Sequence, residues 1–103
     1  MATLYVTEYS AVAQVQIGGE YTTVPMEPPV AEQTVAIGGA SVASAAFNSA
    51  TILVRLHTDA ICSHSFGSSP TATTSKGRMA ANQTEYKGVP QGQSLKVAVI
   101  TNT

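Results

Sequence analysis

The chain has 103 residues, 44% of them hydrophobic and only 11% charged, with a formal net charge of −1. That length accommodates one domain core of ordinary size and little more. The five cations, Arg55, Lys76, Arg78, Lys87 and Lys96, form no basic patch, no apolar run reaches the ~20 residues of a membrane span, and the single Cys62 can neither close an internal disulfide nor build a zinc site alone, so direct binding to nucleic acid, membrane insertion and a disulfide scaffold are not expected.

The shortage of charge, against about a quarter in typical domains, is made up by Thr, Ser, Ala, Gln and Asn. A surface of that kind is neutral and polar, and it repels copies of itself weakly. The opening MATLYVTEYS has no cationic stretch followed by an apolar one, so the sequence predicts synthesis and use in a reducing cytosol, or release from it by lysis.

Along the chain the hydrophobic period is two. Leu4 and Val6 alternate with Tyr5 and Thr7 in a first strand, and Ala13, Val15 and Ile17 share one face of a second, opposite Gln14 and Gln16. Gly18-Gly19 then separates this run from Tyr21–Val24, the pattern of a hairpin with a tight turn. Pro25, Pro28 and Pro29 predict an extended connection over residues 25–31 without ladder pairing. Glu32–Ile37 forms the next strand, with Val35 and Ile37 inward, and Ala40–Ala46 reads as a loop in preference to a helical turn.

Thr51–Thr58 is the most regular run, with Ile52, Val54 and Leu56 on one face and Thr51, Arg55 and His57 on the other. Asp59-Ala60 turns the chain into Ile61–Phe66, and residues 67–77 make a long polar surface loop. One or two strands follow within Met79–Val89, anchored by Tyr86 and Val89. Pro90–Gln93 supplies a turn, and Leu95, Val97 and Val99 alternate with Lys96 and Ala98 in a last strand. Roughly seven to nine short strands with regular turn signals predict an all-β fold: one antiparallel β-sandwich over residues 1–103, jelly-roll-like, with an immunoglobulin-like sandwich as the other order that fits.

Candidate chemistry is sparse. His57, Asp59, Cys62 and His64 could in principle ligate a metal, but a turn intervenes after His57 and Asp59, while Cys62 and His64 share an apolar face with Phe66. Cys62 and His64 are i, i+2 neighbours without a third group to orient the base, which argues against a nucleophilic pair. The carboxylates Glu8, Glu20, Glu27, Glu32, Asp59 and Glu85 lie on scattered segments, and no two pair from sequence for acid–base work. Asn82-Gln83-Thr84 matches a glycosylation acceptor that lacks a secretory route. No catalytic, cofactor or metal site is therefore expected.

Three stretches carry a resemblance. The opening MATLYVTEY, the middle SAAFNSATILVRLHTDAICSHSFGSSPTAT and the close RMAANQTEYKGVPQGQSLKVAVITNT resemble small proteins encoded among the head genes of tailed bacteriophages. The three stretches make up nearly two-thirds of the chain and consist of strand-and-turn phrases, among them TILVRLHTDA, a strand ending in Phe-Gly and a terminal Lys-Val-Ala-Val-Ile. The resemblance implies a virion structural protein: a capsid decoration or cement protein on the head surface, made in the host bacterial cytoplasm. It would bridge neighbouring subunits of the major capsid protein as a homo-oligomer, a trimer before other states. Loops and termini on a rigid sandwich are where contacts concentrate, so the expected interface residues are Tyr5 and Tyr9; Pro25, Glu27, Pro28 and Pro29; and Ser68, Pro70, Thr71, Lys76 and Arg78. The other readings are a glycan-binding module or minor head or tail subunit on the virion, and a small cupin-like metal enzyme using His57, Asp59 and His64.

Overall fold

The computed structural model describes residues 2–103. The strands are β1 (Ala2–Tyr9), β2 (Val12–Ile17), β3 (Glu20–Pro25), β4 (Ala31–Ile37), β5 (Val42–Ala43), β6 (Leu53–Thr58), β7 (Cys62–Gly67), β8 (Arg78–Met79), β9 (Thr84–Gly88) and β10 (Lys96–Thr101). Eight of these have five residues or more, and no helix is present among the described residues. The fold is all-β. One four-stranded antiparallel sheet runs β4-β1-β6-β9, a second runs β5-β10-β7-β8, and β2 and β3 pair only with each other.

The two larger sheets face one another across a single core, and the two-residue period decides which side chains enter it. The first sheet contributes Leu4, Val6, Val35, Ile37, Val54 and Leu56, and the second contributes Cys62, Met79, Val97 and Val99, with Phe47 closing one end. Register sets core residues opposite one another: Leu4 faces Val35, Val6 faces Leu56, and Cys62 faces Met79. A one-residue slip of any strand would turn its apolar set outward, so the core and the register specify each other.

The third sheet is the departure from a plain sandwich. The β2–β3 hairpin leaves the end of β1 through Ser10-Ala11 and projects as an arm, with nearly every residue exposed. It gives the molecule a long axis of 45 Å against 29 and 22 Å, and a radius of gyration of 14.1 Å where a compact chain of this length has about 13 Å. Gly18 and Gly19, at φ +60° and +87°, form its turn, which requires positive φ at both central positions.

Four local expectations change. Pro25 does enter a ladder, as the last residue of β3 opposite Val12, a strand end where a missing N–H is tolerated. Ala40–Ala46 contains the short strand β5. Thr51 precedes β6 and is buried instead of lying on an outer face with Arg55 and His57, because it serves a carboxyl group described below. Tyr86 is no core anchor: it pairs with Arg55 on the outward face of the first sheet and is 54% exposed, while Val89 packs against the core as expected.

Candidate contact surface

The arm and the face of the sheet beside it form the most open apolar region of the molecule. In the β2–β3 ladder Ala13, Val15 and Ile17 lie opposite Val24, Thr22 and Glu20, so one face of the ribbon carries an apolar row that ends beside an acid. The other face carries Val12, Gln14, Gln16, Tyr21, Thr23 and Pro25. Ile17 is 66% exposed and Tyr21 71%, at the tip. A two-stranded ribbon without a covering layer buries too little to be stable alone, so this hairpin is held by its own cross-strand pairs and by its root.

At that root a groove of about 350 Å³ opens between arm and sandwich, lined by Val12, Thr23, Val24, Pro25, Leu53 and Tyr86. Leu53 and Tyr86 reach it from the outward face of the first sheet, where Arg55 stands directly opposite Tyr86 in the ladder. The ion pairs among the described residues involve only His64, Glu85 and Lys87, so neither Arg55 nor Glu20 has a carboxylate or cation in pairing range there.

The expected interface residues distribute unevenly over this surface. Tyr5 is exposed on the outward face of the first sheet, its ring tilted against His57 at 6.3 Å between centroids. Pro25 lines the groove, and Glu27 and Pro28 are exposed on the crossing that follows the arm, with Pro29 half-buried. Tyr9, by contrast, is only 5% exposed, because that crossing folds back over it and Val30 donates its N–H to the Glu8 carbonyl. The Tyr9 hydroxyl donates to a Glu27 carboxyl oxygen at 2.7 Å, and this bond to an acid, helped by burial, pushes the phenol up to about 12. Tyr9→Phe should therefore cost about 1 kcal/mol of folding stability at neutral pH. Because the folded pKa is raised above the ordinary value near 10, that contribution is fully present below pH 10 and is lost as pH rises through 12. Denaturation of the two proteins compared at pH 7 and pH 11.5, a range set by those two values, checks it.

Ser68, Thr71, Lys76 and Arg78 are exposed and Pro70 is half-buried, but residues 67–77 do not form a free loop. The segment folds along the outer face of the second sheet. Ala72 is buried and its N–H donates to Ser41 Oγ at 2.9 Å, the Asn102 amide donates to the Thr74 carbonyl at 3.1 Å, and His64 N–H donates to the Gly77 carbonyl at 2.9 Å. Arg78 donates to the Thr103 carbonyl. Ser63 and Ala98, which register places on that outer face, are completely buried.

The four residues with metal-ligand chemistry are not brought together. His57 faces outward and bonds Thr84 Oγ1 through Nδ1 at 2.7 Å, Asp59 accepts the Thr3 N–H at 2.7 Å, and Cys62 and His64 face the core. Burial raises the Cys62 thiol, against a weaker opposing contact with Thr58, which makes it a poorer nucleophile. His64 lies instead with groups the sequence did not join to it. Its Nε2 is 4.0 Å from a Glu85 carboxyl oxygen that also holds Lys87 Nζ at 3.1 Å, and its ring stands edge-on to Phe66.

A second buried polar group also escaped the sequence reading. Glu8 is 2% exposed on the inward face of β1, and it accepts hydrogen bonds from Asn48 N–H at 2.7 Å, Thr51 Oγ1 at 2.9 Å and Gln33 Nε2 at 3.2 Å. Gln33 in turn clamps Ala45 through that residue's N–H and carbonyl. Together they fasten residues 45–51 across the end of the core. The signal was available: Glu8 continues the inward register of Leu4 and Val6, where a carboxyl group needs donors.

No helix of the described residues is long and apolar enough to cross a membrane. No family model matches the chain, and comparison with curated proteins and with solved structures finds no match either.

Proposed function

We propose that this protein is a structural subunit of a tailed-bacteriophage virion, seated on the outside of the head as a decoration protein that bridges neighbouring subunits of the major capsid protein. The observation that carries the reading is the β2–β3 arm, which leaves the sandwich with its apolar side chains uncovered and gives a 103-residue chain a 45 Å reach. A rigid domain with a projecting ribbon can touch more than one neighbour, and several modest contacts become strong when geometry lets them engage together.

Three further features support it. The chain passes repeatedly between the sheets: β4 to β5, β5 to β6, β6 to β7, β8 to β9 and β9 to β10 each change layer. Eight strands in two four-stranded sheets with such crossings resemble a jelly roll, an architecture frequent in capsid and lectin domains. The resemblance of the strand-and-turn phrases to those of phage head-gene products points the same way, and the low charge suits dense packing of copies over a shell.

Mixing the purified protein with heads that lack it, followed by sedimentation and washing, should leave it bound to the heads and should raise their resistance to heat. Absence of retention, or retention on tails alone, contradicts the decoration reading. The aromatic groups on the outward face, Tyr5, His57 and Tyr86, favour one second reading, a glycan-binding module on the virion. Saturable binding of host-surface glycan by the isolated protein, abolished in Tyr86→Ala, distinguishes it.

A further inference from the structure

We propose that the groove at the root of the arm receives the arm tip of a second copy of this chain, with Ile17 entering the groove and Glu20 meeting Arg55. The inference shares with the proposed function the reading of the arm as a contact element, and it does not require a shell.

The occupant follows from what the molecule carries on its own surface. The groove is apolar, lined mainly by Val12, Val24, Pro25, Leu53 and Tyr86, and its volume of about 350 Å³ is ample for a branched aliphatic side chain and its neighbours. The most exposed aliphatic side chain of the protein is Ile17, at the end of the row Ala13, Val15, Ile17. The arm cannot satisfy its own groove. Ile17 lies five residues beyond Val12 on an extended strand, roughly 17 Å away, and the paired ribbon cannot fold back over that length.

Charge selects the same pairing. Glu20 stands directly across the ladder from Ile17, on the same face of the ribbon, so any surface that receives one meets the other. Arg55 stands on the groove's sheet face, opposite Tyr86 and two residues along β6 from Leu53. Each lacks an opposite charge in pairing range among the described residues. An apolar knob beside an acid thus complements an apolar groove beside an arginine, and both belong to one chain. The remainder of the arm, residues 11–26, carries no charge besides Glu20, and Glu27, the acid just beyond it, is held by the Tyr9 hydroxyl. Such a contact is reciprocated in a pair or propagated around a closed ring.

Sedimentation velocity and light scattering over a range of concentrations read the result. The wild-type chain should form a discrete oligomer, and Ile17→Asp should weaken its association roughly tenfold to a hundredfold, the cost of placing an acid where an aliphatic side chain was buried. Glu20→Arg and Arg55→Glu should each weaken it about tenfold, and the double variant should recover to within about threefold of wild type, because only that combination restores opposite charges. Ile17 and Glu20 lie on the arm and Arg55 faces outward from β6, all outside the core, so unchanged thermal unfolding of the monomer at high dilution shows that the variants remain folded. A wild type that stays monomeric, an oligomer indifferent to Ile17→Asp, or a charge swap that fails to recover would each overturn the proposal. Oligomers that obey these rules but do not bind heads would sustain it while removing the decoration reading.

Discussion

Glu8→Ala should destabilise the fold by about 3 kcal/mol, a large share of the 5–15 kcal/mol that holds a domain of this size together. The carboxyl group is 2% exposed and takes three donors from residues 25 to 43 positions away in the chain. Its removal leaves the Asn48 N–H and the Thr51 hydroxyl without an acceptor at the end of the core, and leaving buried donors unmet costs far more than a hydrogen bond contributes. Glu8→Gln should lose about half as much. Its amide oxygen can still accept from Asn48 and Thr51, but its NH2 would face the Gln33 NH2, which the clamp on Ala45 holds in place. Thermal unfolding should show Glu8→Ala melting about 15 °C below wild type and Glu8→Gln between the two. Equal midpoints for Glu8→Ala and wild type would mean that the segment 45–51 is not fastened through this residue.

The second large effect is expected at Gly77. A Cβ there would lie 2.9 Å from His64 Cε1 and 3.0 Å from Nε2, against a ring that is 7% exposed and braced by Phe66. A buried ring so placed cannot yield like the end of a flexible chain, so Gly77→Ala should cost about 2 kcal/mol. The double-mutant cycle identifies the cause. In a His64→Ala background the obstruction is gone, and the same glycine substitution should cost less than about 0.5 kcal/mol, with the reduced freedom of the unfolded chain acting in its favour. A penalty of the same size in both backgrounds would place the strain elsewhere.

His64→Ala also isolates a pH effect. Burial holds His64 below its ordinary value, against the opposing pull of Glu85, and Lys87 adds to the lowering; its Nδ1 is buried without a partner. The unfolded chain therefore takes up this proton first, near pH 6.5. Stability from neutral His64 is fully present above that pH and is lost as pH falls from there through the lower folded pKa. The stability difference between wild type and His64→Ala should accordingly shrink on acidification, as urea denaturation at pH 7.5 and pH 5 can show.

Much of this fold was legible because period two, glycine pairs and proline positions act locally. Leu4, Val6, Val54, Leu56, Val97 and Val99 announce their inward face by alternation alone, and Gly18-Gly19 announces its turn. What sequence could not supply depended on distant partners. Tyr9 sits on an outward register and is nevertheless covered, because residues 26–30 cross back over it. Thr51 reads as the start of a strand and is drawn inward by Glu8. Tyr86 looks like an anchor, yet its register with Arg55 sends it outward. The arm shows the same limit from the other side: alternation along Ala13, Val15 and Ile17 marks a face that suits a partner, while nothing along the strand names the partner. Tyr5 near the terminus and Glu27 and Pro28 on the crossing were readable as exposed residues, whereas Pro25 sits half-buried at a strand end, and the groove it lines needed the sheet register that brings Leu53 and Tyr86 beside Val12 and Val24.

The central claim, that this chain works by lying on a phage head and joining its subunits, is tested most directly by imaging heads with and without the protein. A difference reconstruction should show a domain on the outer surface, elongated by its 45 Å axis across the junction of neighbouring capsid subunits, with the arm directed at an adjacent copy. Identical maps, or density confined to the tail, would contradict the account.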